Sequence, residues 1–346
     1  MSYLVTMKIH ILIFLVVILS SCSSQLHQQQ MYVFGTLVEI KIWGVNEQVA
    51  NNAINIIAKD FQTMHNNWHP WHKSQLTNLN KAIANGQTWN VQDPNLLLIL
   101  KKSQQLYNQS DGLFNPAIGR LISLWGFHSD DLSNNFTVPS EQEITKLLTP
   151  SMNDIYINEQ QISSRNPIIQ LDFGAFAKGY AIDLAIKKLQ QLGIHNAIVN
   201  AGGNLKAIGQ KGEQPWLIGV RHPRDGVILA AITIQGEESI ITSGDYERFH
   251  ELEGKRYSHI IDPRNGQPTK ELTSVTVIHQ NAAIADAATT ALMIAGLKDW
   301  HKIATQMGIK YAMLIDTAGI VYLNPAMQER VRFQSKPKII ITDKLK

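Results

Sequence analysis

The stretch that most constrains the fold is 171–183, which reads Leu-Asp-Phe-Gly-Ala-Phe-Ala-Lys-Gly-Tyr-Ala-Ile-Asp. A strand-like run over 168–171 leads to Asp172, a glycine follows, and a helix with a periodic apolar face then carries Lys178 in its first turns. A carboxylate, a flexible turn, a helix N-terminus and one lysine can hold a phosphate ester and a divalent cation. Taken alone, the segment is better interpreted as a plain strand-turn-helix corner with Lys178 solvated, because a lysine after a glycine turn is common.

The N-terminus predicts export and lipidation. Lys8 is the only charged residue before an apolar run over 9–19, which has the length of a signal-peptide core and is short for a membrane span. The run ends in Leu-Ser-Ser-Cys (19–22), which looks like a lipobox, so we expect residues 1–21 to be a lipoprotein signal peptide and Cys22 to carry the lipid. A plain signal peptide with an incidental cysteine is the alternative.

The rest of the chain is expected to divide simply: a polar tether over 22–30, one domain over 31–330 and a loosely attached basic tail over 331–346. Cys22 is the only cysteine, so no intramolecular disulfide can form and the fold must depend on its apolar core. The formal net charge of +3 falls to +2 when Lys8 is removed, which is too weak a positive balance to indicate nucleic-acid binding.

Hydrophobic periodicity and capping residues predict an α+β fold, with mixed or antiparallel sheets and helices packed on them. Alternation over 31–43 predicts one long strand. Asn46, Asp93 and the Ser140/Glu143 pair are typical helix starts. An alanine-rich helix over 282–295 is expected to end near Gly296, with a further helix over 300–307.

Two residues on the alanine-rich helix suggest a cation site. Asp286 and Thr290 are four residues apart, so they share a helix face, and both offer the oxygen ligands that Mg²⁺ prefers. A capped acid in the first turn with a surface threonine is an equally good interpretation of this pair alone. The segment Trp-His-Pro-Trp-His (68–72) is better read as a loop that stacks aromatic rings on a planar ligand than as a metal site, because no third ligand follows at the spacing of known metal motifs.

Several short motifs occur together in one order and carry a family resemblance. They are a Gly-Thr at 35–36, Asp-Gly-Leu-Phe-Asn-Pro (111–116), Leu-Trp-Gly-Phe (124–127), the 171–180 stretch, Asn-Ala-Gly-Gly-Asn (200–204), Thr-Ser-Gly-Asp-Tyr (242–246), His-Ile-Ile-Asp-Pro-Arg-Asn-Gly (259–266) and Ala-Asp-Ala-Ala-Thr-Thr-Ala (285–291). Each is weak alone, but the ordered set resembles the ApbE family of FAD:protein FMN transferases over about 33–323.

The resemblance implies an enzyme that binds FAD between two lobes, cleaves its diphosphate with Mg²⁺ and transfers FMN to a Thr or Ser of a flavoprotein, with release of AMP. It implies that Asp286, Thr290 and the Ala175 carbonyl hold the metal. Lys178 and His259 are the implied catalytic residues, Lys178 at the FAD phosphates and His259 in the transfer step. The implied FAD contacts also include Leu113, Phe114, Asn115, Asp172, Ile261 and Trp71.

The sequence departs from the family pattern mainly around the flavin. Phe34 replaces a usual methionine, Asn115 a usual aspartate, and the segment before Ser74 is rebuilt with tryptophans and histidines. The choice between Trp68 and Trp71 as the ring that stacks on the flavin is left open by the sequence. These changes bear on FAD affinity more than on the class of reaction.

The resemblance also sets the alternatives and the expected location. The same site could hydrolyse FAD to FMN and AMP, or the chain could be a lipid-anchored FAD carrier without chemistry. The implied partner is a periplasm-facing flavoprotein subunit of a membrane redox complex, and no nucleic acid. The expected location is a periplasm-facing lipoprotein, at the inner membrane by family, while Ser23 after Cys22 leaves the outer membrane open.

Overall fold

A nine-stranded sheet forms the centre of the structure, a computed structural model that describes residues 25–129, 132 and 136–345. The predicted signal peptide and Cys22 lie outside the described residues. The strands are β1 (Leu26–Val33), β2 (Thr36–Trp43), β3 (Trp89–Asn90), β4 (Ile155–Asn158), β5 (Gln161–Ser164), β6 (Ala197–Ala201), β7 (Asn204–Ile208), β8 (Gln210–Lys211), β9 (Gln214–Pro215), β10 (Leu217–Arg221), β11 (Ile228–Thr233), β12 (Glu238–Gly244), β13 (Phe249–Leu252), β14 (Lys255–Ser258), β15 (Leu272–His279), β16 (Tyr311–Asp316), β17 (Val321–Leu323), β18 (Val331–Phe333) and β19 (Ile339–Ile341). The helices are α1 (Glu47–Trp68), α2 (Gln75–Ala84), α3 (Pro94–Gln109), α4 (Gly119–Leu124), α5 (Glu141–Thr145), α6 (Ala177–Gln191), α7 (Ala282–Gln306) and α8 (Pro325–Gln328).

The order of the large sheet is β1-β2-β6-β7-β12-β15-β16-β17-β19, and all its pairs are antiparallel except β17 with β19. Side chains alternate between two apolar layers: Val199 and Ile241 face the helices, whereas Ile198 and Ile240 face the small β10-β11-β18 sheet. Because both faces are covered, the central strands are apolar on both sides. The predicted α+β class, with mixed and antiparallel sheets, is confirmed.

The single long strand predicted over 31–43 is wrong. The chain forms the hairpin β1–β2, with Phe34 and Gly35 both at positive φ (57° and 69°) in a two-residue turn. Phe34 is an unusual residue in that conformation, which is why the turn left no ordinary sequence signal. The tether predicted over 22–30 is also wrong from Leu26 onward, since Gln28 to Gln30 lie in β1 at the sheet edge, where polar side chains meet solvent.

The loosely attached tail predicted over 331–346 is wrong as well. Val331–Phe333 pairs with β11, and Ile339–Ile341 pairs with β17 at the far edge of the large sheet. Short strands at sheet edges have little burial periodicity of their own, so their pairing depends on the rest of the fold.

The strand-like run over 168–171 is not a strand. Only Gln170 forms a bridge, to Ile118, and the Asn80 side chain exchanges two hydrogen bonds with the Leu171 backbone (2.8 and 2.9 Å). The Asp172 N–H donates to the Pro116 carbonyl at 2.9 Å. Hydrogen bonds to a side chain and to a loop carbonyl therefore take the place of strand pairing here, and they hold the turn that precedes α6.

Helix boundaries agree well with the capping prediction. The side chains of Asn46 and Asp93 accept from the first turns of α1 and α3, and Ser140 and Glu143 form the expected capping box. The two helices predicted on either side of Gly296 are both present within α7, and the backbone leaves helical geometry between them at Gly296 (φ 66°, ψ −174°), where the first was expected to end. Within 25–129, 132 and 136–345, no helix is long and apolar enough to span a membrane.

Candidate active site

The first turns of α6 and α7 meet at Asp286. Its Oδ2 accepts the Gly179 N–H at 2.9 Å, and its Oδ1 accepts Nδ2 of Asn204, on β7, at 2.9 Å. Asp286 is only 2% exposed. Burial raises the pKa of Asp286, and the nearby Lys178 ammonium and these two hydrogen bonds oppose the rise. Each carboxylate oxygen still has a lone pair that can bind a cation.

The close approach of these helices requires a glycine on α6. A Cβ on Gly179 would lie 2.3 Å from the Ala282 carbonyl oxygen and 2.8 Å from Cβ of Asp286. Both atoms belong to a packed helix and cannot move aside cheaply. The Lys-Gly dipeptide in the 171–183 stretch therefore has a structural reason: the glycine lets α7 pack directly on α6.

The other two predicted metal ligands lie on the same two segments. Thr290 is half-buried and one turn beyond Asp286 on α7, and Ala175 is half-buried in the turn before α6. The Gly179 N–H donates to Asp286, and among the described residues no hydrogen bond reaches the Ala175 carbonyl. Nowhere in the described part of the chain do three or more His, Cys, Asp or Glu side chains gather as a metal group. A cation at Asp286 would therefore need hydroxyl and carbonyl oxygens, of the kind that Thr290 and Ala175 offer.

Lys178 lies close to both predicted chemical groups. Its Nζ donates to the Gly174 carbonyl at 3.2 Å, and its charge acts on Asp286, Glu247 and His259. Burial raises the pKa of Glu247, and Lys178 opposes that rise. The lysine thus supplies positive charge that acts on both Asp286 and His259.

His259 follows β14, and the structure defines its tautomer. Nδ1 lies 2.9 Å from the Arg248 carbonyl, which can only accept, so Nδ1 carries the proton and Nε2 keeps its lone pair in the neutral ring. Burial lowers the pKa of His259 to about 4, and the charges of Lys178 and Arg248 add to this effect. At neutral pH the ring is therefore an uncharged proton acceptor.

Asp172 pairs with a histidine that the sequence did not indicate. His128 Nε2 lies 2.8 Å from Asp172 Oδ2, and the Gly174 N–H donates to Oδ1 at 2.8 Å. Although burial acts to raise it, the pKa of Asp172 is lowered by the His128 and Gly174 contacts. Asp172 thus stays ionised and supports His128, and a direct contact between Asp172 and FAD stays a prediction.

The two tryptophans of the 68–72 segment have different surroundings. Trp68 is buried, its Nε1 donates to Asp93 Oδ2 at 2.9 Å, and its ring lies against Tyr180. Trp71 stacks on His128 with ring centres 5.0 Å apart, and the Arg248 guanidinium lies 5.8 Å from its ring. The buried Trp71 Nε1 has no partner among the described residues. Trp71 is thus more accessible to a ligand than Trp68, and its contact with the flavin stays a prediction.

The remaining predicted FAD contacts lie around the 111–116 turn and the 259–266 loop. Leu113 and Phe114 are buried in the core, so only their backbone could line a ligand site. Both ends of the Asn115 amide are already bonded, to the Pro150 carbonyl and the Ala117 N–H. Ile261 is buried in a separate apolar cluster around Trp125. Contact of these four residues with FAD stays a prediction.

Sequence reasoning missed the residues that support the site. His128 follows the Leu-Trp-Gly-Phe motif directly, Asn204 ends the Asn-Ala-Gly-Gly-Asn motif, and Arg248 follows Thr-Ser-Gly-Asp-Tyr by two positions. Arg248 Nη2 donates to the carbonyls of Phe127 and Ser129 (3.0 and 2.7 Å). Position within or beside a motif was the only available signal, because the contacts that Asn204 and His128 make to the site are distant in sequence.

Comparison with known proteins identifies the family of this chain. A model described as the ApbE family matches residues 34–314. A Rhodobacter capsulatus protein named FAD:protein FMN transferase is 40% identical over 305 residues, which is 88% of this chain and 58% of that protein. A Klebsiella pneumoniae protein of the same name is 31% identical over 291 residues, covering 81% of this chain and 82% of that one. The chain thus spans a little over half the length of the Rhodobacter relative.

Solved structures show the same fold. The ApbE protein of Thermotoga maritima superposes with a TM-score of 0.82 at 29% identity, over 89% of this chain and all of that one. The apo flavinyl transferase ApbE of Pseudomonas stutzeri gives a TM-score of 0.76 at 27% identity, over 90% of this chain and 98% of that one. The ordered motifs, the family match over most of the chain and the shared architecture together place this chain in the ApbE family.

Proposed function

We propose that the chain is an FAD:protein FMN transferase, which moves FMN from FAD to a Thr or Ser hydroxyl of a flavoprotein and releases AMP. The observation that carries the proposal is the buried contact at the start of α6, where Asp286 accepts the Gly179 N–H at 2.9 Å. The preceding residue, Lys178, adds a positive charge that acts on both Asp286 and His259. One place then combines a cation-binding acid, a fixed positive charge and a neutral base. Phosphoryl transfer needs mainly this kind of charge neutralisation and positioning.

The donor set fits Mg²⁺. Asp286 offers lone pairs on a buried carboxylate, Thr290 a hydroxyl on the same helix face, and Ala175 a carbonyl to which no described group donates. These are hard oxygen ligands, and phosphate oxygens commonly complete the shell of this cation. Bound there, Mg²⁺ would withdraw charge from the phosphates as the leaving group departs.

The chain's own groups account for the proton and the charge. The acceptor hydroxyl would give its proton to Nε2 of His259 as its oxygen bonds to the FMN phosphorus, while the bond from that phosphorus to the AMP oxygen breaks. Lys178 would offset the negative charge that builds on the leaving AMP phosphate. Because the nucleophile belongs to the acceptor, the enzyme needs no serine or cysteine of its own.

A transfer assay tests this function. The soluble domain starting at Gln25 is incubated with FAD, Mg²⁺ and a flavoprotein domain that carries a flavinylation threonine, and the acceptor is then weighed by mass spectrometry. We expect a mass increase of one FMN, dependent on both FAD and Mg²⁺, and none when the acceptor threonine is alanine. AMP release without an acceptor mass increase would indicate hydrolysis, and FAD binding with neither product would indicate a carrier.

We also propose that Cys22 is lipidated and holds the domain on the periplasm-facing side of a membrane, where its flavoprotein acceptor belongs to a redox complex. The apolar run over 9–19 and the Leu-Ser-Ser-Cys sequence support this location. Growth of an expressing strain with labelled palmitate should label the wild-type protein but not Cys22→Ala. Equal labelling, or its absence in both, would contradict the anchor without bearing on the transfer reaction.

A further inference from the structure

A second acid, Asp183, makes the reciprocal contact between the helices that meet at Asp286. Asp183 Oδ1 accepts the Ala282 N–H at 3.1 Å, and its Oδ2 accepts the Ala283 N–H at 3.0 Å. Asp183 therefore caps α7 from α6, while Asp286 on α7 accepts the Gly179 N–H of α6. Two N–H groups in the first turn of α7, which have no partner within that helix, thus donate to a side chain from another helix.

The spacing of these groups makes the two contacts parallel. Gly179 and Asp183 are four residues apart on α6, as Ala282 and Asp286 are on α7, so each pair lies on one helix face. Strand β7 contributes one donor to each of the two carboxylates. Asn204 donates to Asp286, and Lys206, two residues further on the same sheet face, donates to Asp183 at 2.8 Å.

Lys206 is itself held firmly. Its side chain is 7% exposed and also contacts Glu237 Oε1 at 2.7 Å. Although burial acts to lower it, the pKa of Lys206 is raised by Asp183 and Glu237, so the pair is ionised at neutral pH. The desolvation of a buried ion pair largely offsets its attraction, so this pair is weak evidence for added stability, whereas the two short contacts of Lys206 define where the Asp183 carboxylate lies.

We propose that Asp183 is a positioning residue for the cation site, which fixes the first turn of α7 against α6 so that Asp286 and Thr290 face the turn of Ala175. This inference rests on the proposed metal site, but its geometric part does not require the metal. Outer partners of this kind typically affect metal affinity by about 10- to 100-fold.

The test compares Asp183→Asn with Asn281→Ala. Asn281 caps the Ile284 N–H of the same helix end at 2.8 Å, and its side chain makes no hydrogen bond to α6 in the part of the chain that the structure describes. Both variants should lower the melting temperature. Only Asp183→Asn should also lose hydrogen-exchange protection at the Gly179 amide and raise, by about 10-fold or more, the Mg²⁺ concentration that half-saturates thermal stabilisation in the presence of FAD.

If Asp183→Asn keeps the wild-type hydrogen-exchange protection at the Gly179 amide and the wild-type Mg²⁺ concentration for half-saturation, the proposal is overturned. Asp183 would then be an ordinary helix cap. If Asp183→Asn does not fold, Asp183→Glu keeps the charge beside Lys206 and adds one methylene. The proposal then expects the same two changes in that variant, and unchanged values would overturn it. An absence of Mg²⁺ stabilisation in the wild-type protein would instead contradict the metal assignment, and the amide measurement would still decide the role of Asp183.

Discussion

Replacing Asp286 by alanine is expected to reduce FMN transfer on the order of 1,000-fold or more, because it removes the only carboxylate among the proposed metal ligands. FAD binding measured without Mg²⁺ should change only a few-fold, since Lys178 and Trp71 stay in place. The measurement is the rate of acceptor mass increase at saturating FAD over a range of Mg²⁺ concentrations.

Asp299→Ala is the matched control for this variant. Asp299 lies on α7 as well, but beyond the break at Gly296. We expect it to transfer FMN at nearly the wild-type rate with an unchanged Mg²⁺ midpoint. More than a tenth of wild-type transfer in Asp286→Ala would show that the metal assignment is wrong.

Replacing His259 by asparagine is expected to slow transfer by about 100- to 10,000-fold, the usual contribution of a positioned general base. Mg²⁺-dependent thermal stabilisation should persist, since Asp286 and the α6–α7 contact are untouched. His301→Asn is the control, because His301 bonds to Thr342 at the C-terminal end of the chain and should leave the rate unchanged. A transfer rate within about threefold of wild type in His259→Asn would remove this residue from the proton transfer.

The protonation of His259 can be followed without turnover. In the FAD-free protein its ring should titrate near pH 4, well below the usual 6.5, by nuclear magnetic resonance of the histidine ring protons with His259→Asn for assignment. Because the unfolded chain takes up this proton near pH 6.5 and the folded chain only near 4, His259 lowers the free energy of unfolding as the pH falls through that window. A bound diphosphate brings negative charge and should raise this pKa.

The sequence predicted those parts of the fold that local patterns determine. Helix starts at Asn46, Asp93 and Ser140 were correct because a cap is a contact within one turn. The β1–β2 hairpin was missed because Phe34 occupies a turn position that usually holds glycine or asparagine. Strands β18 and β19 were missed because edge pairing is decided by distant residues.

For the candidate site, the motifs predicted which segments meet but not how they are held. The shared helix face of Asp286 and Thr290 followed from their four-residue spacing on a predicted helix. The partners Asn204 and His128 could not be derived in this way, because Asn204 reaches Asp286 across 82 residues and His128 reaches Asp172 across 44. Such contacts depend on sheet order and helix crossing, which single-residue patterns do not contain.

The break in α7 links two parts of the site that are far apart in sequence. Since the backbone leaves helical geometry at Gly296, the preceding half of α7 has a carboxyl end of its own, where partial negative charge collects. The positively charged guanidinium of Arg264 donates to the Ile294 carbonyl at this end, at 3.0 Å, and also binds the Asp262 carboxylate. The loop that begins with the proposed base is therefore tied to the half-helix that carries the proposed metal ligands. Through this contact, a displacement of the half-helix would also be felt in the loop that carries the base.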